Sequence, residues 1–237
     1  MAASIPAGDS LTDRSVASEL ARLLEHPAIW RGRSAARSEA LATGYAALDA
    51  CLPGNGWPRT GLIEILVSRF GIGELYLLMP MLAALTGRPT GRWCVWIAPP
   101  LEPYAPALAA HGVTLDRVLV VRVPAGDSPA NRSVASEPLW AFEQTLSSGA
   151  SDIALAWAAH GPRTREIRRL QLAAERGKTL GVLFRPQRAA RESSPAILRM
   201  IVESKPMGAR LTLLKSRGGV RGAVELEWAA HPPTAGS

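Results

Sequence analysis

Apolar runs recur along this chain at intervals and alternate with amphipathic stretches. Runs rich in β-branched or aromatic residues occupy 62–67 (LIEILV), 93–98 (WCVWIA), 118–123 (VLVVRV), 153–159 (IALAWAA) and 179–184 (TLGVLF), followed by 209–216 (ARLTLLKS) and 222–228 (GAVELEW). The early runs are continuous rather than alternating, the pattern of strands covered by helices on both faces. Helical patterns fall between them, at 74–87, 103–111, 137–148 and 164–177. Strands alternating with helices predict an α/β fold with a mainly parallel, twisted sheet flanked by helices. The last two runs are closer together and alternate more, which predicts an antiparallel C-terminal extension.

The segment 164–177 carries the sharpest polarity. At 100° per residue Ile167, Leu170 and Ala174 fall together, and Arg165, Arg168, Arg169 and Arg176 gather opposite them. One face packs and the other is strongly positive, either as a solvated face or as a phosphate-contacting surface. At the start, ASELARLLEHP (17–27) predicts a short helix with Leu20, Leu23 and Leu24 on one side and Pro27 closing it. IWRGRSAARSEA follows, with Trp30 among arginines, and reads as a basic linker or docking arm. The chain therefore divides into an N-terminal arm (1–40), a core (41–228) and a disordered Pro/Ala/Gly tail (229–237). Two near-copies, GDSLTDRSVASE (8–19) and GDSPANRSVASE (126–137), agree at nine of twelve positions. Their separation is far too long for a solenoid period, and both read as surface loops.

Composition narrows the function. The 237 residues suit one large α/β domain with short extensions. Net charge is +7, and 24 of the 27 basic residues are arginine, since lysine occurs only at 178, 205 and 215. The choice of Arg over Lys reads mainly as coding composition, but the positive excess points to an acidic partner, with nucleic acid foremost. Two cysteines, Cys51 and Cys94, make neither a disulfide framework nor a metal cluster. His26, His111, His160 and His231 stand apart at no metal-ligand or triad spacing. No secretory signal and no membrane-length apolar run is visible, so a cytoplasmic protein with no metal and no cofactor is expected.

VSRFGIGELYLLMP (67–80) has the outline of a phosphate-binding loop between a strand and a helix. Such a loop needs glycines whose N–H groups surround phosphate oxygens, a Lys for the β and γ phosphates, and a Ser or Thr for magnesium. Gly71 and Gly73 supply only the first, while Glu74 and Leu75 stand where Lys and Ser or Thr belong. Repulsion between the Glu74 carboxylate and a phosphate at about 4 Å is on the order of 4 kcal/mol at an effective dielectric near 20.

LATGYAALDACLPGNGWPRTGLIEIL (41–66) resembles the opening of the RecA-type core. Together with EHPAIWRGRS, GIGELYLLMP, RRLQLAAERG and LLKSRGG, in this order over roughly residues 20–228, it is similar to the ImuA family, RecA-related accessory proteins of bacterial translesion DNA synthesis. The resemblance implies a RecA-like P-loop-type core and a role in SOS-induced DNA-damage mutagenesis. It further implies association with an inactive Y-family polymerase-like partner (ImuB) and with RecA, near the nucleoid. In the RecA type the strand after the variable helix ends in an acidic residue. Here Trp157 takes that place, Asp152 lies at the wrong end of the strand, and Glu102 is the remaining candidate for the carboxylate that activates water. The DNA-contacting loops correspond to HGPRTR (160–165) and RPQRAARESS (185–194). With the helix between them they supply Arg163, Arg165, Arg168, Arg169, Arg185, Arg188 and Arg191 for nonspecific single-stranded DNA. Leu20, Leu23, Leu24 and Trp30 would dock the arm on a partner. The expectation is a noncatalytic protein. Two alternatives remain open: an ATPase with an irregular loop in which Arg69 replaces the lysine, and a SulA-like cell-division inhibitor.

Overall fold

A computed structural model describes residues 40–123, 137–159, 161–216 and 221–228. The arm residues 1–39, the tail 229–237 and the second near-copy up to residue 136 lie outside the described residues, and with them Leu20, Leu23, Leu24 and Trp30.

One eight-stranded sheet organises the described chain, in the order β3-β2-β4-β5-β1-β6-β7-β8. The strands are β1 (Gly61–Val67), β2 (Trp93–Ile97), β3 (Val118–Val121), β4 (Ser151–Trp157), β5 (Leu180–Pro186), β6 (Leu198–Lys205), β7 (Gly208–Ser216) and β8 (Gly222–Glu227). Every pairing from β3 across to β6 is parallel, and β7 and β8 join antiparallel. The expected mixed α/β architecture and its antiparallel extension are thus both present. The sequence reading omitted β6, because Arg199, Glu203 and Lys205 interrupt its apolar pattern.

Helices cover both faces. Alternation along β1 sends Ile63, Ile65 and Val67 to one side, where they pack with Leu48 of α1 (Ala46–Asp49), Leu82 and Leu85 of α2 (Met79–Thr86) and Leu108 of α3 (Ala105–Ala110). Leu62 faces the other side with Phe142 and Leu146 of α4 (Glu137–Ser148) and Ile167 and Leu170 of α5 (Thr164–Gly177). The α5 segment keeps the boundaries and polarity its periodicity predicted. Gln171 on its buried face reaches across to accept the Leu62 N–H at 2.8 Å, tying the helix to the central strand.

Every residue of β1 is buried, including Glu64 at its centre. An isolated carboxylate there would be prohibitively costly, so the strand brings its own counterions. Glu64 Oε1 accepts from Arg185 Nη1 at 2.7 Å, and Oε2 from Arg199 Nε at 2.5 Å. Arg185 Nη2 also donates to Glu192 at 2.6 Å, while Arg199 donates to the Ala189 and Glu192 carbonyls at 2.8 Å each. The result is an electroneutral quartet of two carboxylates and two guanidiniums that clamps segment 187–195 onto the sheet. This overturns the expectation that Arg185 contacts DNA: its side chain is wholly buried and already committed to two carboxylates.

Candidate functional site

The lead-in to β1 is self-capped. Thr43 donates its N–H to Asp49 Oδ1 at 2.9 Å, and its hydroxyl bonds within the Thr43–Tyr45 turn, which accounts for the TG…LD spacing. From β1 the chain passes into loop 68–75 at the carboxyl edge of the sheet, the side on which open α/β sheets hold ligands. Gly71 and Gly73 take φ of +82° and +94°, which only glycine adopts without strain. The helix expected over 74–87 starts later: residues Tyr76–Leu78 form a 3-10 turn, and α2 begins at Met79 with Pro80 in its first turn.

Glu74 is buried and turned back into the loop. Its Oε1 accepts the Gly71 N–H at 3.0 Å and its Oε2 the Ile72 N–H at 2.9 Å. These donors are of the kind that surround a phosphate in a nucleotide-binding loop, and here they hold the loop's own carboxylate. Leu101, from the loop after β2, closes the other side, since a Cβ placed on Gly71 would meet Leu101 Cδ1 at 2.7 Å.

Beside the loop lies a cleft of about 290 Å³, small for a ligand pocket. Met79, Leu108, Trp96, Trp157, Leu101 and Tyr104 give it an apolar lining, and no Lys or Arg is among its lining residues. Trp157 is the last residue of β4, stacked on Phe184 with ring centroids 4.9 Å apart and tilted against Trp96 at 6.1 Å. Tyr76 stands edge-on to His111 at 5.2 Å and stacks on Trp228 at 5.9 Å. Leu101 and Tyr104 at the mouth are the surprise, being 63% and 71% exposed; sequence reasoning singled out only Glu102 in this loop.

The remaining polar candidates are dispersed. Glu102 at the mouth pairs with Arg122 at 2.5 Å, both well exposed. Asp152 sits at the amino edge of β4, holding the Arg92 N–H at 2.8 Å and its Nε at 3.1 Å. Arg69 is exposed and does not line the cleft. Burial pushes the Cys94 thiol up to about 12, where it also accepts from Trp96 Nε1 at 3.2 Å. Among the described residues no cluster of His, Cys, Asp and Glu has the arrangement of a metal site, and no helix is long and apolar enough to cross a membrane.

The arginines fall into three groups. Arg185 is interior, as described. Arg163, Arg188 and Arg191 are exposed where the loops after β4 and β5 meet, and Arg188 Nη2 bridges the two by donating to the Ala159 carbonyl at 3.0 Å. Arg165, Arg168 and Arg169 follow on the exposed side of α5. Arg169 donates from Nε to Glu143 of α4 at 3.2 Å and pairs with it again through Nη2. Sequence reasoning missed the Glu64–Arg199 pair, whose only signal was a Glu in the middle of a continuous apolar run.

No family model matches the chain. Among characterised relatives, the cell division inhibitor SulA of Edwardsiella piscicida is 34% identical over 143 residues, covering 58% of this chain and 76% of that protein. The SulA of Photorhabdus laumondii is 29% identical over 122 residues, and protein ImuA of Caulobacter vibrioides is 31% identical over 148. The matched region spans 61% and 56% of those two relatives' lengths. The crystal structure of SulA from Pseudomonas aeruginosa aligns at 25% identity with a TM-score of 0.41, over 52% of this chain and 97% of that one.

Proposed function

The chain belongs to the family of SulA- and ImuA-related proteins, and from that premise we propose that it is a noncatalytic, RecA-like accessory protein of an SOS-induced translesion DNA synthesis assembly. The observation that carries this reading is the Glu74 carboxylate on the N–H groups of Gly71 and Ile72. An incoming nucleotide phosphate would have to expel that carboxylate, without a lysine in the cleft to compensate. The parallel sheet with a glycine loop at the carboxyl end of an interior strand supports a RecA-like core. The ionic and catalytic parts of such a core are replaced here by Glu74, Leu75 and Trp157.

Its partners, on this reading, are an inactive Y-family polymerase-like protein (ImuB) and RecA, engaged in the cytoplasm at the nucleoid through Leu20, Leu23, Leu24 and Trp30 of the arm. Weak, sequence-independent contact with single-stranded DNA falls to Arg163, Arg165, Arg188 and Arg191 around the junction of the loops after β4 and β5. Titration calorimetry with ATP and magnesium tests the noncatalytic part: no saturable heat is expected. Micromolar binding abolished by Gly73→Asp would overturn it in favour of an ATPase with an irregular loop. Pull-downs with the purified partners, full length and with residues 1–40 removed, test the adaptor part.

A cell-division inhibitor is the second reading. It is favoured by the 34% identity across 76% of a SulA. Overexpression in a host lacking the polymerase-like partner separates the two, because filamentation there belongs to an inhibitor and not to a polymerase accessory.

A further inference from the structure

The paired surface of α4 and α5 combines features that the loops and the cleft do not use. Trp140 of α4 is 62% exposed and Leu172 of α5 is 49% exposed, an unusual amount of apolar area to leave in water on two adjacent helices. Arg165, Arg168, Leu172 and Arg176 follow one another at spacings of three and four residues, with Arg169 beside Arg168, so they form one stripe along α5. Arg169 and Trp140 line the same cleft between the helices, and the Glu143–Arg169 pair bridges it. Tryptophan and arginine are the residue types most enriched at the energetic centres of protein interfaces.

A nucleic-acid strand fits this surface poorly. A base stacked on Trp140 would bring its phosphates against Glu137, Glu143 and Glu166, which line the cleft with it. The arginines that remain beside Leu172 on the stripe, Arg168 and Arg176, instead suit carboxylates that are fixed beside an apolar residue.

We propose that the α4–α5 surface docks a protein partner through an acidic, amphipathic segment, with apolar side chains packed on Trp140 and on Leu172 and carboxylates on Arg168 and Arg176. The proposal rests on the adaptor reading above and assigns a second contact surface to it, distinct from the N-terminal arm. Trp140 is the anchor, and the arginine stripe sets the orientation of the bound segment.

The test measures binding of the purified polymerase-like protein and of RecA to the full chain, to Trp140→Ala and to Arg168→Glu, with an oligothymidylate titrated in parallel. Both substitutions are on exposed side chains, and unchanged thermal midpoints verify that the fold is kept. At least about a thirtyfold loss of affinity for one protein partner is expected in each variant, the hot-spot range, with Trp140→Ala leaving the oligothymidylate affinity unchanged. Full partner affinity in both variants would overturn the inference and leave the adaptor reading standing. Loss of oligothymidylate affinity in Trp140→Ala, with partner affinity kept, would overturn it by assigning the surface to nucleic acid. Failure of the unaltered chain to bind either protein overturns the adaptor reading and this inference together.

Discussion

Replacing Glu74 with alanine removes the occupant of the glycine loop while leaving its backbone donors in place, and this separates an occupied anion site from one that was never formed. The carboxylate accepts two N–H groups, at 3.0 and 2.9 Å. Hydrogen bonds to a charged acceptor contribute up to about 1.5–3 kcal/mol each. Gly71 is exposed and Ile72 half-buried, so water takes over part of this, and a total of about 1–3 kcal/mol is expected. For a domain of this size that lowers the thermal midpoint by about 2–12 °C. The same substitution removes a repulsion of about 4 kcal/mol against any phosphate at about 4 Å, a factor near a thousand in affinity. Glu74→Ala should therefore bind pyrophosphate at millimolar concentration, and pyrophosphate should raise its midpoint in a thermal scan. The unaltered protein should show neither effect. ATP should gain little more than pyrophosphate, because Leu101 still lies over Gly71 and the cleft supplies no basic side chain. Equal midpoints and an equal lack of response to pyrophosphate in the two proteins would refute the reasoning.

Glu64→Gln should cost about 3–5 kcal/mol in urea unfolding, since it leaves Arg185 and Arg199 buried without their shared anion; Glu192→Gln, whose side chain is about half exposed, should cost clearly less. Because the folded protein holds the Cys94 proton up to about pH 12 and an unfolded thiol releases it near pH 8.5, the stabilisation is complete below about pH 8.5 and is lost as pH rises toward 12. Cys94→Ala should flatten that alkaline decline, and native protein treated with iodoacetamide should alkylate at the half-buried Cys51 and not at Cys94. Single-stranded DNA bound through four arginines should weaken with a log–log salt slope of about −2.8, roughly fiftyfold between 50 and 200 mM salt; Arg188→Ala should reduce the slope by about 0.7, and a salt-independent affinity would contradict phosphate contact.

The frame of the fold was legible because continuous apolar runs and a strong helical periodicity are local signals, and α5 shows the same boundaries in pattern and structure. The β6 strand was not, because its apolar pattern is broken by an arginine whose burial depends on Glu64, 135 residues away. Arg185 failed for a related reason. Sequence assigns a lone arginine in a polar stretch to solvent, and only the register of β5 against β1 turns it inward. At the glycine loop, the sequence shows Glu74 directly after Gly73, but the direction in which Glu74 points is a tertiary fact. The covering role of Leu101 likewise depends on two loops meeting across the sheet edge.

Taken together, the loop and the quartet show one electrostatic arrangement. In each, a group able to bind a charged ligand is satisfied from within the chain: the loop donors by Glu74, and the guanidiniums of Arg185 and Arg199 by Glu64 and Glu192. Among the described residues, the candidate arginines other than Arg185 are peripheral: Arg163, Arg188 and Arg191 at the loop junction and those of the α5 stripe are all exposed. Peripheral arginines on a rigid sheet-and-helix frame give orientation and fast association more than affinity. Tight assembly then needs an apolar anchor beside them, and on the proposed docking surface of α4 that anchor is Trp140. The proposed adaptor should lose partner selectivity before affinity when salt is raised, and Trp140→Ala should lower affinity at any salt concentration.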